Sequence, residues 1–138
     1  MQQCEDERVE PKLLWWVGAG GALGSVARYM LTYAIQWQRP TAFPYATLAI
    51  NTSGSLLLGF LLSYWIASTT LSAELRLFLT VGFCGGFTTF SAFAYETADL
   101  IESANYRAAT AYVIMSVVLS IAATFTGFAL ARALLSSK

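Results

Sequence analysis

Three long stretches of this chain contain no charged residue, and they limit its fold more than any other feature. They are residues 40–73, 77–95 and 108–131. A membrane-spanning helix needs about 20 predominantly apolar residues, whereas a helix in a soluble protein needs a polar face, which these stretches lack. Charged residues form only 12% of the chain, about half of what is usual for soluble domains. We therefore predict an integral membrane protein.

The apolar runs and the loop signals between them predict an all-α domain at residues 13–138 that crosses the membrane four times. The four helices are expected at about residues 13–35, 45–68, 74–102 and 108–135. A polar tail, residues 1–12, precedes them and carries Glu5, Asp6, Glu7 and Glu10. Acidic residues are the wrong sign for the start of a signal peptide, so we assign this tail no function.

The third predicted helix contains residues that do not favour an uninterrupted helix. Within residues 82–93 lie three glycines, two adjacent threonines and a serine, and we expect an interruption around Gly85 to Thr88. Irregular backbone is tolerated in a membrane only where protein or a polar cavity surrounds it, so an interruption indicates a site. The alternative is a continuous, kinked helix in which Gly82 and Gly86 serve close packing.

Two of the other helices carry polar residues at a spacing of four, which places each set on one helix face. Helix 2 has Thr47, Asn51 and Ser55, and helix 4 has Tyr112, Ser116, Ser120 and Thr124. A single serine or asparagine in a membrane helix often bonds its own backbone or a neighbouring helix. Four hydroxyls in register favour a polar track instead.

The ionisable residues argue against most enzyme chemistry. The chain has no histidine, the commonest general base and a common metal ligand, and helices 1, 2 and 4 contain no carboxylate. Glu96, Asp99 and Glu102 share a face near the end of helix 3 and indicate a wet vestibule or interface. Arg28 is typical of a residue that reaches towards the membrane surface, with a role in transport as the alternative.

Neutral donors and aromatic rings suit an anion. The edge of a phenylalanine ring is the positive end of its quadrupole, and Phe90 and Phe93 can present two edges in one direction. Transfer of a bare ion into hydrocarbon is very costly, so an ion needs a series of partial solvation sites. Weak neutral sites of this kind favour conduction over tight binding.

Basic residues give little guidance on orientation. Arg8, Lys12, Arg76, Arg132 and Lys138 fall on one side of the membrane, and Arg28, Arg39 and Arg107 on the other. The positive-inside rule needs a clear excess to fix orientation. Insertion in both orientations is therefore compatible with the sequence.

Three motifs, residues 20–28, 47–54 and 82–93, together resemble the Fluc (CrcB) family of fluoride channels. The resemblance covers about residues 13–135 and implies a passive fluoride exporter of the bacterial plasma (inner) membrane, built as an antiparallel, dual-topology homodimer with two pores. It also implies a central structural sodium ion held by the backbone carbonyls of Gly85 and Thr88. The implied fluoride pathway contains Asn51, Phe90, Phe93, Tyr112, Ser116 and Ser120, and we add Thr47 from its shared face with Asn51.

The chain departs from the family pattern at Ala92, where a threonine is usual, so a hydroxyl contribution there is in doubt. One alternative function is a small four-helix, proton-coupled multidrug exporter, but that mechanism requires a carboxylate in helix 1. Another is a non-conducting membrane assembly protein, in which Asn51 and the hydroxyls serve only packing. Ion flux after reconstitution distinguishes the channel from the assembly protein.

Overall fold

The protein is described by a computed structural model that covers residues 10–38, 42–68 and 72–136. These residues form helices and turns and no β-strand, which confirms the all-α prediction for this part of the chain. The elements are α1 (Pro11–Gln38), α2 (Tyr45–Ser68), α3 (Ala73–Leu77), a π-helical segment (Phe78–Cys84), α4 (Gly85–Phe87), α5 (Phe90–Glu102) and α6 (Tyr106–Ser136). Most of the predicted polar tail, Arg39 and much of the predicted loop at 69–73 lie outside the described residues.

Among the described residues, three helical stretches are long and apolar enough to cross a membrane. They are Tyr45–Trp65, Ala73–Glu102 and Tyr106–Ser136, and the second of them contains the interruption. Helix α1 has 28 residues, but its glycines and its two basic residues make it less apolar. The prediction of a multi-pass membrane protein is therefore supported, and the fourth span stays a prediction.

Glycines hold α1 against the π-helical segment and α4. A Cβ atom on Gly20 or Gly24 would collide with the backbone of the π-helical segment, and a Cβ on Gly86 would collide with the backbone of α1. Gly20 lies beside Gly82, and Gly24 lies beside Phe87, so the two helices run parallel. The glycines therefore do serve close packing, as the alternative supposed. The helix is interrupted as well, so the two readings are not exclusive.

Helices α2 and α6 form the other close pair, and they run antiparallel. Gly59 of α2 lies against the backbone at Thr124, and Gly127 of α6 lies against the backbone at Leu56. The Thr124 hydroxyl also contacts the Ser55 carbonyl oxygen at 3.4 Å. The close approach brings the polar faces of α2 and α6 together.

The interruption of the third helix lies later than the glycines suggest. Gly85 has helical backbone angles (φ −65°, ψ −39°), whereas Thr88 (φ −78°, ψ 155°) and Thr89 (φ −150°, ψ 116°) are extended. The side chains of the two threonines stabilise the helix ends on either side of the interruption. The Thr88 hydroxyl donates to the Cys84 carbonyl at 2.8 Å, and the Thr89 hydroxyl accepts from the Ala92 N–H at 3.2 Å as the N-cap of α5.

The turn between α5 and α6 also differs from the prediction, which left residues 103–107 as a turn between helices 3 and 4. Ala104 adopts a left-handed conformation (φ 57°), and the N–H groups of Ala104 and Asn105 donate to the carbonyls of Ile101 and Leu100. These two bonds form a Schellman motif, which ends α5. Helix α6 can then begin at Tyr106, inside the predicted turn.

Candidate functional site

A cavity of about 350 Å³ lies beside the interruption, between α2, α5 and α6. We call it the central cavity. Its lining is apolar apart from hydroxyls, one side-chain amide and the backbone at the interruption. The lining residues are Asn51, Gly54, Ser55, Leu58, Thr88, Thr89, Phe90, Phe93, Ser116, Val117, Ser120 and Ile121.

Asn51 contacts the interruption through both ends of its amide. Its Nδ2 donates to the Thr89 carbonyl at 3.0 Å, and its Oδ1 accepts from the Thr89 N–H at 2.8 Å. The side chain therefore satisfies both backbone polar groups of one extended residue, which hydrocarbon would leave unpaired at high cost. An asparagine amide has two N–H donors, so one of them is not used by Thr89.

Two carbonyls lose their helical donors at the interruption. In a continuous helix the Thr89 N–H would donate to Gly85 and the Ala92 N–H to Thr88. Here the first N–H donates to Asn51 and the second to the Thr89 hydroxyl. The carbonyls of Gly85 and Thr88, which the resemblance predicts to hold a cation, are therefore released from these two helical hydrogen bonds; the cation site itself stays a prediction.

Phe90 and Phe93 are adjacent in space, with ring centroids 5.4 Å apart and planes inclined by 46°. The Phe93 ring also contacts the Tyr112 ring, with centroids 5.3 Å apart. Phe90 is 79% exposed, although it lines the central cavity. This chain alone therefore leaves one wall of the cavity open.

The predicted hydroxyl track on α6 divides into different environments. Ser116 is 8% exposed, lines the central cavity, and has a buried hydroxyl without a hydrogen-bond partner among the described residues. Ser120 lines the same cavity. Thr124 is used structurally, because its hydroxyl donates to the Ser120 carbonyl at 3.0 Å.

Tyr112 and Thr47 meet a carboxylate that the predicted pathway omitted. Glu96 Oε2 accepts from the Tyr112 hydroxyl at 2.6 Å, and Oε1 accepts from the Thr47 hydroxyl at 2.7 Å. Tyr112 is fully buried and Thr47 is 5% exposed. We call these three residues the Glu96 cluster.

The Glu96 cluster borders a second cavity of about 180 Å³ that Glu96 and Asp99 line together with Phe43 and Tyr45. Phe43, from the segment before α2, packs edge-on against Tyr112 with centroids 5.7 Å apart. The wet vestibule or interface expected at the end of helix 3 stays a prediction, and this cavity lies where it was expected. The additional role of Glu96 as an acceptor for two buried hydroxyls was not predicted.

The predicted pathway residues therefore lie in two groups joined by Phe93. Asn51, Phe90, Phe93, Ser116 and Ser120 line the central cavity, whereas Thr47 and Tyr112 belong to the Glu96 cluster. Sequence reasoning missed Glu96, Thr89 and Phe43 as residues of the site. The shared face of Glu96 with Phe93, at i and i+3, was the signal that could have indicated the first of them.

Comparison with known proteins identifies the family of this chain. The family model described as CrcB-like protein, Camphor Resistance (CrcB), matches residues 15–128. A protein of Chlorobaculum tepidum named fluoride-specific ion channel FluC is 47% identical over 84% of this chain and 91% of its own length. Two further proteins of the same name are similar to this chain. The one from Rhizobium meliloti is 45% identical over 86% of this chain and 94% of its own length. The one from Flavobacterium psychrophilum is 42% identical over 89% of this chain and 99% of its own length. The chain belongs to the CrcB-like protein family.

Proposed function

We propose that this chain forms a fluoride-selective passive channel that lets fluoride leave the bacterial cytoplasm across the plasma membrane. Its relatives carry the name of fluoride-specific ion channels. The observation that carries the proposal is Ser116, which lines the central cavity and whose buried hydroxyl has no hydrogen-bond partner among the described residues. A donor left unpaired inside a membrane protein is costly, and an anion that enters the cavity would accept its hydrogen bond.

The remaining walls of the central cavity suit the same ion. The unused N–H of Asn51 and the hydroxyl of Ser120 are neutral donors, and Phe90 and Phe93 offer ring edges. Neutral donors hold an anion less strongly than a fixed cation would. A passing ion can therefore leave as well as enter.

A second copy of this chain, inserted in the opposite orientation, would complete the channel. Phe90 is 79% exposed at the edge of the cavity, and no atom of the described residues would lie within 4 Å of a Cβ placed on Gly85. Both features fit a partner that packs against the interruption. The weak basic-residue bias fits dual topology, and two equivalent cavities give two pores in a homodimer with four spans per subunit.

A structural sodium ion fits the carbonyls of Gly85 and Thr88. Hard cations prefer oxygen ligands, and these two carbonyls have lost their helical N–H donors to Asn51 and Thr89. When bound, the ion supplies positive charge that favours anions nearby.

Fluoride efflux from proteoliposomes, measured with a fluoride electrode, tests the channel. We expect efflux of fluoride and far slower efflux of chloride from the wild-type chain. The double variant Phe90→Ile, Phe93→Ile keeps apolar bulk, so folding should survive, but it removes the ring edges and should abolish most efflux. The matched control is Phe125→Ile, Phe128→Ile, a ring pair at the same spacing on α6, which should conduct normally.

If the double variant at Phe90 and Phe93 released fluoride at the wild-type rate, both rings would have only a packing role. No fluoride flux from folded wild-type protein would favour the non-conducting assembly protein. Accessibility of a tag at each terminus tests the topology separately. Antiparallel insertion predicts labelling of both termini from both sides of the membrane, and one-sided labelling contradicts it.

A further inference from the structure

Asn51 accepts a hydrogen bond from a backbone N–H that would donate to a backbone carbonyl in a continuous helix. The Thr89 N–H donates to Asn51 Oδ1 at 2.8 Å, whereas in an uninterrupted helix it would donate to the Gly85 carbonyl. We propose that Asn51 is a positioning residue for the cation site, because it holds this N–H and keeps the Gly85 carbonyl available to a monovalent cation. This inference rests on the proposed function, which assigns sodium to Gly85 and Thr88.

The orientation of the Asn51 amide follows from its two partners. Nδ2 lies 3.0 Å from the Thr89 carbonyl oxygen and Oδ1 lies 2.8 Å from the Thr89 nitrogen. The reversed amide would place two donors together and two acceptors together, so the hydrogen-bond pattern determines the assignment. The acceptor end of Asn51 is therefore the end that competes with Gly85.

Loss of this acceptor would let the preceding helix grow by one residue. Thr88 already has a φ of −78°, within the helical range, and only its ψ of 155° is extended. Rotation of that angle towards a helical value, with a compensating change at Thr89, turns the Thr89 N–H towards Gly85 and also moves the Thr88 carbonyl, which belongs to the same planar peptide group. An unpaired N–H in the membrane interior strongly favours such a change, and the new bond would occupy the carbonyl.

The same amide also lines the central cavity, so it couples the two parts of the site. Its acceptor end acts on the cation carbonyl through Thr89, and its side chain lines the cavity assigned to the anion. A role limited to fluoride binding predicts that changes at Asn51 leave the response to sodium intact. The positioning role predicts that they remove it.

Sodium-dependent thermal unfolding of the full chain in detergent tests the proposal, with sodium chloride compared with potassium chloride at constant ionic strength. We expect sodium to raise the unfolding temperature of the wild type. Asn51→Leu should raise the half-maximal sodium concentration by about tenfold or more, the factor that one buried hydrogen bond represents. Ser55→Ala, one turn away and lining the same cavity, is the matched control and should respond as the wild type does.

A backbone ester at Thr89 provides the decisive second measurement. It deletes the Thr89 N–H and leaves every side chain in place, so the N–H that would otherwise occupy the Gly85 carbonyl is gone. Introduced into Asn51→Leu, the ester should restore the sodium response to within about threefold of the wild type, which is less than the effect of one buried hydrogen bond. An ester at Thr110, on the exposed face of α6, is the control and should restore nothing.

The outcomes separate this inference from the channel itself. A normal sodium response in Asn51→Leu, no rescue by the Thr89 ester, or no sodium response in the wild type each overturns the positioning role. Fluoride efflux by the wild type decides the channel independently of all three. Loss of the response in Asn51→Leu with rescue by the ester supports the positioning role even if the protein conducts no fluoride.

Discussion

The Glu96 cluster and the central cavity lie on either side of Phe93, and they use similar hydroxyl groups in opposite ways. In the cluster, both carboxylate oxygens of Glu96 accept hydrogen bonds, from Thr47 at 2.7 Å and from Tyr112 at 2.6 Å. In the central cavity, the Ser116 hydroxyl is buried without a partner among the described residues. The hydroxyls of the Glu96 cluster therefore have partners within the chain, whereas the central cavity contains a hydroxyl donor that is available to a ligand.

This difference distinguishes polar groups that stabilise the fold from polar groups that are available to bind a ligand. A buried polar group with a partner stabilises the fold, and its removal leaves that partner unpaired. A buried donor without a partner destabilises the fold, and it gains a hydrogen bond only when a ligand arrives. Substitutions in the Glu96 cluster should therefore reduce stability first, and those at Ser116 should reduce flux alone.

The largest effect on stability is expected for Glu96→Leu. This change removes the acceptor of two buried hydroxyls at once, and each unpaired hydroxyl costs about 1–3 kcal/mol, so the free energy of unfolding should fall by about 2–6 kcal/mol. Thermal or denaturant unfolding in detergent measures it. Glu102→Leu, at the exposed end of α5, is the control and should change stability by less than about 0.5 kcal/mol.

If Glu96→Leu were as stable as the wild type, the cluster would not support the fold. A further variant sharpens the test, because Thr47→Val and Tyr112→Phe remove the two hydroxyls that Glu96→Leu leaves unpaired. Combining all three substitutions should recover part of the lost stability. Additive losses would show that the three residues do not act together.

A smaller loss is expected for Tyr112→Phe. The ring keeps its contacts with Phe93 and Phe43, and only the bond to Glu96 disappears, so the free energy of unfolding should fall by about 1–2 kcal/mol. Tyr95→Phe is the control, because Tyr95 is 74% exposed. An equal effect of the two substitutions would contradict the special position of the Tyr112 hydroxyl.

The helices and their approximate ends could be predicted because charge-free runs and glycine patterns are local features. The glycines of residues 82–86 indicated an interruption, yet Gly85 and Gly86 are helical and Gly86 serves contact with α1. The extended residues are Thr88 and Thr89, whose side chains cap the two helix ends. No residue pattern marked the π-helical segment at Phe78–Cys84, because its wider turn depends on packing.

The residue types of the site were also predictable, but their partners were not. The spacing of Asn51, Ser116 and Ser120 places them on facing surfaces, and the central cavity contains all three. Sequence could not reveal that Asn51 bonds both polar groups of Thr89, or that Tyr112 and Thr47 share Glu96. Such pairings depend on how helices distant in sequence are rotated against each other.

The smallest effect on stability, and the sharpest contrast with the Glu96 cluster, is expected for Ser116→Ala. The hydroxyl has no partner to leave unpaired, so the free energy of unfolding should change by less than about 0.5 kcal/mol, or rise. Fluoride efflux should nevertheless fall by a few-fold, because the ion loses one donor while Ser120 and water can still solvate it. Ser53→Ala is the control, because the Ser53 hydroxyl donates to the Ala49 carbonyl of its own helix at 2.7 Å and faces away from the cavity. Stable protein with reduced efflux would assign the Ser116 hydroxyl to the ion, whereas lost stability would place Ser116 with the structural hydroxyls of Thr47 and Tyr112.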